Sequence, residues 1–421
     1  MANDNVLKDN RLKRFTGLLP VLVAVLIIGA CGGSGQGGPT TPTSGLKHRA
    51  FVSNTFSGNL QIVDTQNDTT SFTAQSTNSA GQIIPGQPVN VPIASTVTFE
   101  VLSPDDSTTA VYDPGSLTIY FVANSSETVS SDVALANSTG MALFSPDSTK
   151  IYVPVPNALV SGARAGLVQA FTVSSATSLA NYTVPAARYV AISPTGQYLL
   201  VFSDNSDAIT MIDTTTTTVT YVSIPGFARP INAFFTSDNN TAYVLNCGPE
   251  CGSSNPASVM RLDIPSQTIT ATVPVGGASV GLLNGTTLYV AGSPVPPGTT
   301  STFDAVNISS MTRLTSSSVA IGDGFHTTMA LAQNNKLYIG ASSCSNTTTG
   351  CLSVVNVSTN TADPPLPPRG AITSLLAISG RNVVYAIEGG FLNIYDTQTD
   401  TLQGTQLTFT GALYGIVQVD Q

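Results

Sequence analysis

The chain has 421 residues, more than the roughly 250 to 300 at which a single hydrophobic core stops growing, so it must form several domains or a repeat array. Apolar residues make up 42% of it and can fill a core, whereas only 9% of residues are charged and Ser and Thr carry most of the polar surface. The net charge is -9, and four of the basic residues, Lys8, Arg11, Lys13 and Arg14, fall in the first 14 positions. The remainder has no Lys and Arg cluster to displace counterions, which excludes nucleic acid as a partner, and with two His and no Trp it is poor in metal and acid-base groups.

After the four basic residues comes Phe15 to Ala30, an uncharged run ending in Ile28-Gly29-Ala30-Cys31. It is shorter than the roughly 20 apolar residues of a bilayer-spanning helix and has the proportions of a signal peptide. The IGAC ending resembles the lipobox of bacterial lipoproteins. That resemblance implies a signal peptide over 1–30, cleavage after Ala30, and acyl chains on Cys31 that fix the protein to a membrane. Gly32 stands where inner-membrane retention typically uses Asp, so the resemblance favours the outer membrane, facing the periplasm or the exterior. Residues 31–46 then read as the lipidated Cys and a flexible Gly, Ser, Thr and Pro tether, leaving 47–421 as the folded body.

The body repeats. The stretch from Arg188 to Ile224, RYVAISPTGQYLLVFSDNSDAITMIDTTTTTVTYVSI, holds four short runs rich in Val, Ile, Tyr and Thr, a four-stranded antiparallel meander. The turn between its third and fourth strands recurs at Asp64, Asn124, Thr172, Asp213, Asp263, Asn307, Asn356 and Asp396, in seven intervals of about 47 residues. The turn between first and second strands recurs from SPDDS at Ser103 to SGRNV at Ser379 one time fewer. The missing first strand is ALYGIVQVD, Ala412 to Asp420, while the N-terminal repeat starts with its second strand, HRAFVSN from His48. Joining the two closes a ring and removes exposed edges. The expectation is therefore an all-β β-propeller of four-stranded antiparallel blades, eight by this count, with seven the alternative if the irregular stretch from Gln75 to Ala94 conceals a divergent blade.

With SPTGQYLLV, SPDSTKIYV and YDTQTDTL, the repeats resemble the YVTN family of β-propeller repeats over nearly all of 47–421. The resemblance implies a fold common in bacterial and archaeal surface and periplasmic proteins, and it leaves function open.

Four further Cys form two tight pairs, Cys247 with Cys251 and Cys344 with Cys351, each in a loop between second and third strands. In an exported chain these read as two local disulfides rather than as a metal site. The same loop is long elsewhere, at Pro154 to Gly166 and Gly292 to Thr300, and such investment in one face points to binding. Arg164, Arg188, Arg229, His326 and Arg369 map to that face as a candidate rim for an anionic ligand, with Arg188 and His326 at equivalent positions. The sequence has no motif for a catalytic triad, a haem, a calcium loop or another cofactor. The reading that follows is an envelope-anchored binding module with a protein or glycan partner. A propeller-type lactonase and a surface-layer component are the alternatives.

Overall fold

The computed structural model describes residues 44–70, 76–77, 83–84, 89–216, 221–294, 301–344, 351–404, 407, 409 and 411–420. Among them all regular structure is β except one 3₁₀ turn, Gly248–Cys251. Eight antiparallel blades of four strands form the propeller that the repeat predicts. Blade 2 shows the pattern: Glu100–Leu102, Thr108–Asp113, Thr118–Ala123 and Thr128–Ala134 follow one another from the channel outward. Blades 3 to 8 begin with the innermost strands Leu143–Phe144, Ala187–Ile192, Pro230–Phe235, Val280–Asn284, Phe325–Leu331 and Ile372–Ala377. Blade 1 is built from both ends of the body. Its innermost strand, Leu413–Asp420, pairs antiparallel with His48–Asn54, placing Asp420 opposite His48 and Leu413 opposite Asn54.

The outermost strand is split in two blades. In blade 1, Thr69–Thr70 and Asn90–Pro92 each pair with part of Asn59–Asp64, and in blade 6, Thr312–Arg313 and Val319–Ile321 share Ser301–Asn307. The described residues thus give eight blades rather than seven, and part of the stretch from Gln75 to Ala94 lies outside them.

Strand alternation distributes the core between blades. On the second strand of blade 5, Ala242 and Val244 pack toward blade 4 while Tyr243 and Leu245 pack toward blade 6. Every pair of neighbouring blades encloses one such apolar cluster, including blade 8 with blade 1, where Ile378, Tyr385 and Ile394 meet Ala50, Val52 and Ile416. Turn chemistry follows the sequence. Asp64, Asp213, Asn307, Asn356 and Asp396 each accept a hydrogen bond from the backbone N–H two residues on, at 2.7 to 3.0 Å. Asn124 departs from this and turns inward, where its Oδ1 accepts from Thr109 Oγ1 at 2.8 Å.

The scarce charges gather at the closure. The last residue of the turn between third and fourth strands has a positive φ, and in blades 8, 1 and 2 it is acidic: Asp400, Asp68 and Glu127. Each takes a cation from the second strand of the preceding blade, or from the turn just before that strand. Arg381 grips Asp68 with both nitrogens at 2.6 and 2.7 Å, and the Tyr385 hydroxyl donates to the same carboxylate. Lys336 Nζ stands 2.9 Å from Asp400, to which Tyr338 donates at 2.8 Å, and Arg49 Nε lies 3.0 Å from the buried Glu127. The same position holds Ala176, Gln267, Met311 and Asn360 in blades 3, 5, 6 and 7.

Between blades 1 and 2 lies a buried acid. Glu100 Oε1 accepts from Ser53 N at 3.3 Å, while Oε2 has no partner and faces Gly415, where a Cβ would approach to 2.3 Å. Only glycine fits beside this carboxyl. Burial raises its pKa from 4.5 to about 8, so the folded protein holds a proton that the unfolded chain releases.

Two predictions follow from the closure. Asp68→Asn is expected to lower stability by about 2–4 kcal/mol in urea unfolding, because it strands a cation that is only 28% exposed, whereas Asp204→Asn, in a pair 35% and 36% exposed, costs about 1 kcal/mol or less. The Glu100 contribution is fully present below about pH 4.5 and is lost as pH rises toward about 8. Glu100→Gln should therefore flatten the decline of the unfolding midpoint across that window, and an unchanged decline would refute the assignment.

Candidate ligand site at the channel mouth

The loops between second and third strands and the linkers into the innermost strands share one face, the loop face. There the first residues of the innermost strands are re-aimed by β-bulges in blades 4, 5, 7 and 8. Between blades 3 and 7 this leaves a cavity of about 380 Å³. Met141, Tyr189, Ile231, Leu245, Phe325 and Met329 supply most of its wall, and Asn232, Ser279 and Thr328 add polar edges. None of its lining residues carries a carboxylate or an imidazole. A second cavity of about 290 Å³ adjoins it, sharing Tyr189 and Ile231, and is lined by Arg188, Asp204, Arg229 and Cys251 among others.

Two of the five rim residues meet in that smaller cavity. Arg188 is the unpaired residue of its bulge, between the pairs Ala187 with Ser203 and Tyr189 with Phe202. Its Nε lies 2.9 and 3.0 Å from the two oxygens of Asp204 and its Nη2 2.6 Å from Oδ2, and this pairing raises its pKa. Arg229 is held more loosely. Its Nη1 is 3.6 Å from Asp207 Oδ1, its Nη2 3.5 Å from the Gly252 carbonyl oxygen, and its Nε is buried without a hydrogen-bond partner.

The other three stand apart. Arg164 is exposed on a small hairpin of blade 3, Leu159–Val160 against Ala163–Arg164, and Arg369 is exposed near Glu388 and Tyr395. His326 is buried, 1% exposed, between blades. In blade 7 the unpaired residue is Thr327, one position later than in blade 4, so Thr327 faces the cavity and His326 turns inward. Burial lowers its pKa to about 4, and the ring is neutral at pH 7. The turn between first and second strands is one residue shorter in blade 7 than in blade 4, so Thr327, not His326, stands in the register of Arg188.

Both disulfides are formed, with Cα separations of 5.6 Å for Cys247–Cys251 and 5.5 Å for Cys344–Cys351. Residues 345–350 and 295–300, in the loops of blades 7 and 6, lie outside the described residues. The Cys247–Cys251 bridge closes a 3₁₀ turn that sends Glu250 from blade 5 to blade 6, where its Oε2 accepts from Ser293 N at 2.8 Å and burial raises its pKa to about 7. The tie that Glu250 makes between two blades is a relation that the repeat pattern within one blade does not show. Among the described residues no group of three or more His, Cys, Asp or Glu could hold a metal ion.

These features define an eight-bladed β-propeller with a two-part cavity at one mouth of its channel. No protein-family model matches the chain and no curated protein matches its sequence, so the YVTN resemblance rests on the repeat motifs alone. Solved structures do match. Dihydro-heme d1 dehydrogenase NirN in complex with DHE is similar over 89% of this chain and 76% of its own, at 12% identity and a TM-score of 0.62. A functionally unknown protein from Desulfotomaculum acetoxidans DSM 771 is similar over 88% and 98%, at 14% identity and a TM-score of 0.54. Hydrazine synthase from Kuenenia stuttgartiensis covers 74% of this chain and 96% of its own, at 15% identity and a TM-score of 0.49. At such identities the likeness is one of fold.

Replacing Cys247 and Cys251 together by Ser is expected to cost about 2 kcal/mol or less in global stability, because the closed loop is short. It should release Glu250, seen as faster hydrogen exchange at Ser293 N. Unchanged exchange there would show that the bridge does not position Glu250.

Proposed function

We propose that this chain is an exported lipoprotein of the YVTN type, held through acyl chains on Cys31 at the outer membrane, whose loop face binds a protein or glycan of the cell envelope. One observation carries the binding reading. The three most exposed large apolar side chains among the described residues, Phe56 at 76%, Phe391 at 63% and Leu159 at 62%, all stand in or beside loops between second and third strands. Apolar groups left in water on the face that also carries both disulfides and the channel mouth suit a partner surface. A lactonase working in the channel would need converging acid, base or metal-binding groups, and the cavity wall offers Met, Tyr, Phe, Asn, Ser and Thr instead.

The test is photo-crosslinking in intact cells with a reactive amino acid at Leu159, on the loop face, and at Ser237, in the exposed turn of blade 5 on the opposite face. Adducts from Leu159 and none from Ser237 are expected, while adducts from Ser237 alone, or from neither, overturn the reading. Cys31→Ala should move the protein from the membrane fraction to the soluble one.

A further inference from the structure

The charged and apolar cavities at the mouth share two wall residues, Tyr189 and Ile231, and their chemistry selects a ligand. We propose that the two-part cavity binds a small aromatic carboxylate, its ring in the larger part and its carboxylate between Arg229 and Arg188. The inference rests on the loop face being the binding face and adds the class of small molecule that the mouth takes.

Shape and wall chemistry set the body of the ligand. A space of about 380 Å³ holds a one- or two-ring molecule. Tyr189 and Phe325 offer ring faces, and Met141 and Met329 offer polarizable thioethers that pack well against aromatic edges. Asn232 Oδ1 is already engaged with Ala233 N at 2.8 Å, which leaves the side-chain amide N–H groups as donors on the wall.

The shared walls set the reach. Tyr189 and Ile231 border both cavities, so a substituent on a ring seated in the larger one extends into the smaller. There Arg188 is taken up by Asp204, and Arg229 has Asp207 as its nearest carboxylate, at the looser distance of 3.6 Å. Asp204 holds Arg188 through Nε and Nη2, which fixes the guanidinium plane and leaves Nη1 outside that bond. Arg229 has a buried Nε with no hydrogen-bond partner and only a 3.6 Å approach to Asp207. The two Nη groups of Arg229, held only loosely at 3.5 and 3.6 Å at the end of an apolar cavity, match a planar carboxylate.

The backbone at Arg229 adds a separate observation. The linker residue just before the innermost strand has a positive φ in several blades, and it is Ala186 in blade 4 and Gly324 in blade 7. Blade 5 places Arg229 there at φ 54, with its backbone N–H donating to Asp207 Oδ1 at 2.9 Å. A long β-carbon side chain is disfavoured in this conformation, and stability alone would favour Gly.

The test uses the full-length protein in detergent with 1-naphthylacetate and its neutral counterpart 2-(1-naphthyl)ethanol. The chain has no Trp, so naphthalene fluorescence reports binding directly. The acid is expected to bind at least about tenfold more tightly than the alcohol. Arg229→Gly should abolish that preference without lowering the thermal unfolding midpoint, and Thr328→Phe should block both ligands by filling the larger cavity. Equal binding of acid and alcohol, no binding of either up to millimolar concentration, or a preference that survives Arg229→Gly would each overturn the proposal. Crosslinks from Leu159 without naphthylacetate binding would remove this inference and leave the loop-face reading standing; naphthylacetate binding without crosslinks would remove the envelope partner and keep the small-molecule site.

Discussion

The grip of Arg381 on Asp68 joins the two ends of a chain whose other inter-blade contacts are nearly interchangeable. Eight apolar clusters of similar make-up hold the ring, and an apolar cluster cannot distinguish one neighbour from another. A guanidinium facing a carboxylate and a phenol in fixed geometry can. Three of the eleven Lys and Arg beyond the leader pair across the interfaces of blades 7 with 8, 8 with 1, and 1 with 2, the last two flanking blade 1, where the ends meet. Non-directional burial supplies cohesion there, and charge supplies register.

The mouth of the channel depends on the same economy of polar groups. With few charges in the body, most loops carry their own hydrogen bonds through Asp, Asn, Ser and Thr, and basic groups are scarce. Against that background Arg188 and Arg229 in adjoining blades are conspicuous, because each enters through a local irregularity: a bulge in one case, a left-handed linker residue in the other. The Cys247–Cys251 loop stands over the same cavity, with Cys251 in its wall and Glu250 tied to the next blade. Rigid strands thus carry side chains whose directions are set by departures from regularity.

Blade number, strand order and closure were legible in the chain because they follow from counting turns, and turn chemistry is local: Asp64 and Asp396 make the same hydrogen bonds in the structure that their sequence suggests. The disulfide partners were legible because nearby Cys leave few alternatives. The site was only partly so. Arg188 and His326 align when the second strands are matched, yet a turn one residue shorter in blade 7 puts Thr327 in the register of Arg188 and buries His326. The clamp at Asp68, Glu127 and Asp400 was present as an acidic residue at one repeat position, opposite a cation at another. Finding it requires knowing that the end of one turn faces the preceding blade, which is a relation between blades and not within one.

The pairing of His48 with Asp420 carries a consequence for how the covalent chain relates to the ring. The two residues sit directly opposite each other, so a short hairpin could connect them and the polypeptide could be opened at any other turn, giving a circular permutant with the same set of blades. Such permutants would differ in strength. Those cut between blades 7 and 2 through the Arg and Lys pairs would keep their electrostatic latch as an interface between chain ends, whereas those cut at blades 5 or 6, where Gln267 and Met311 occupy the latch position, would close without an ion pair there.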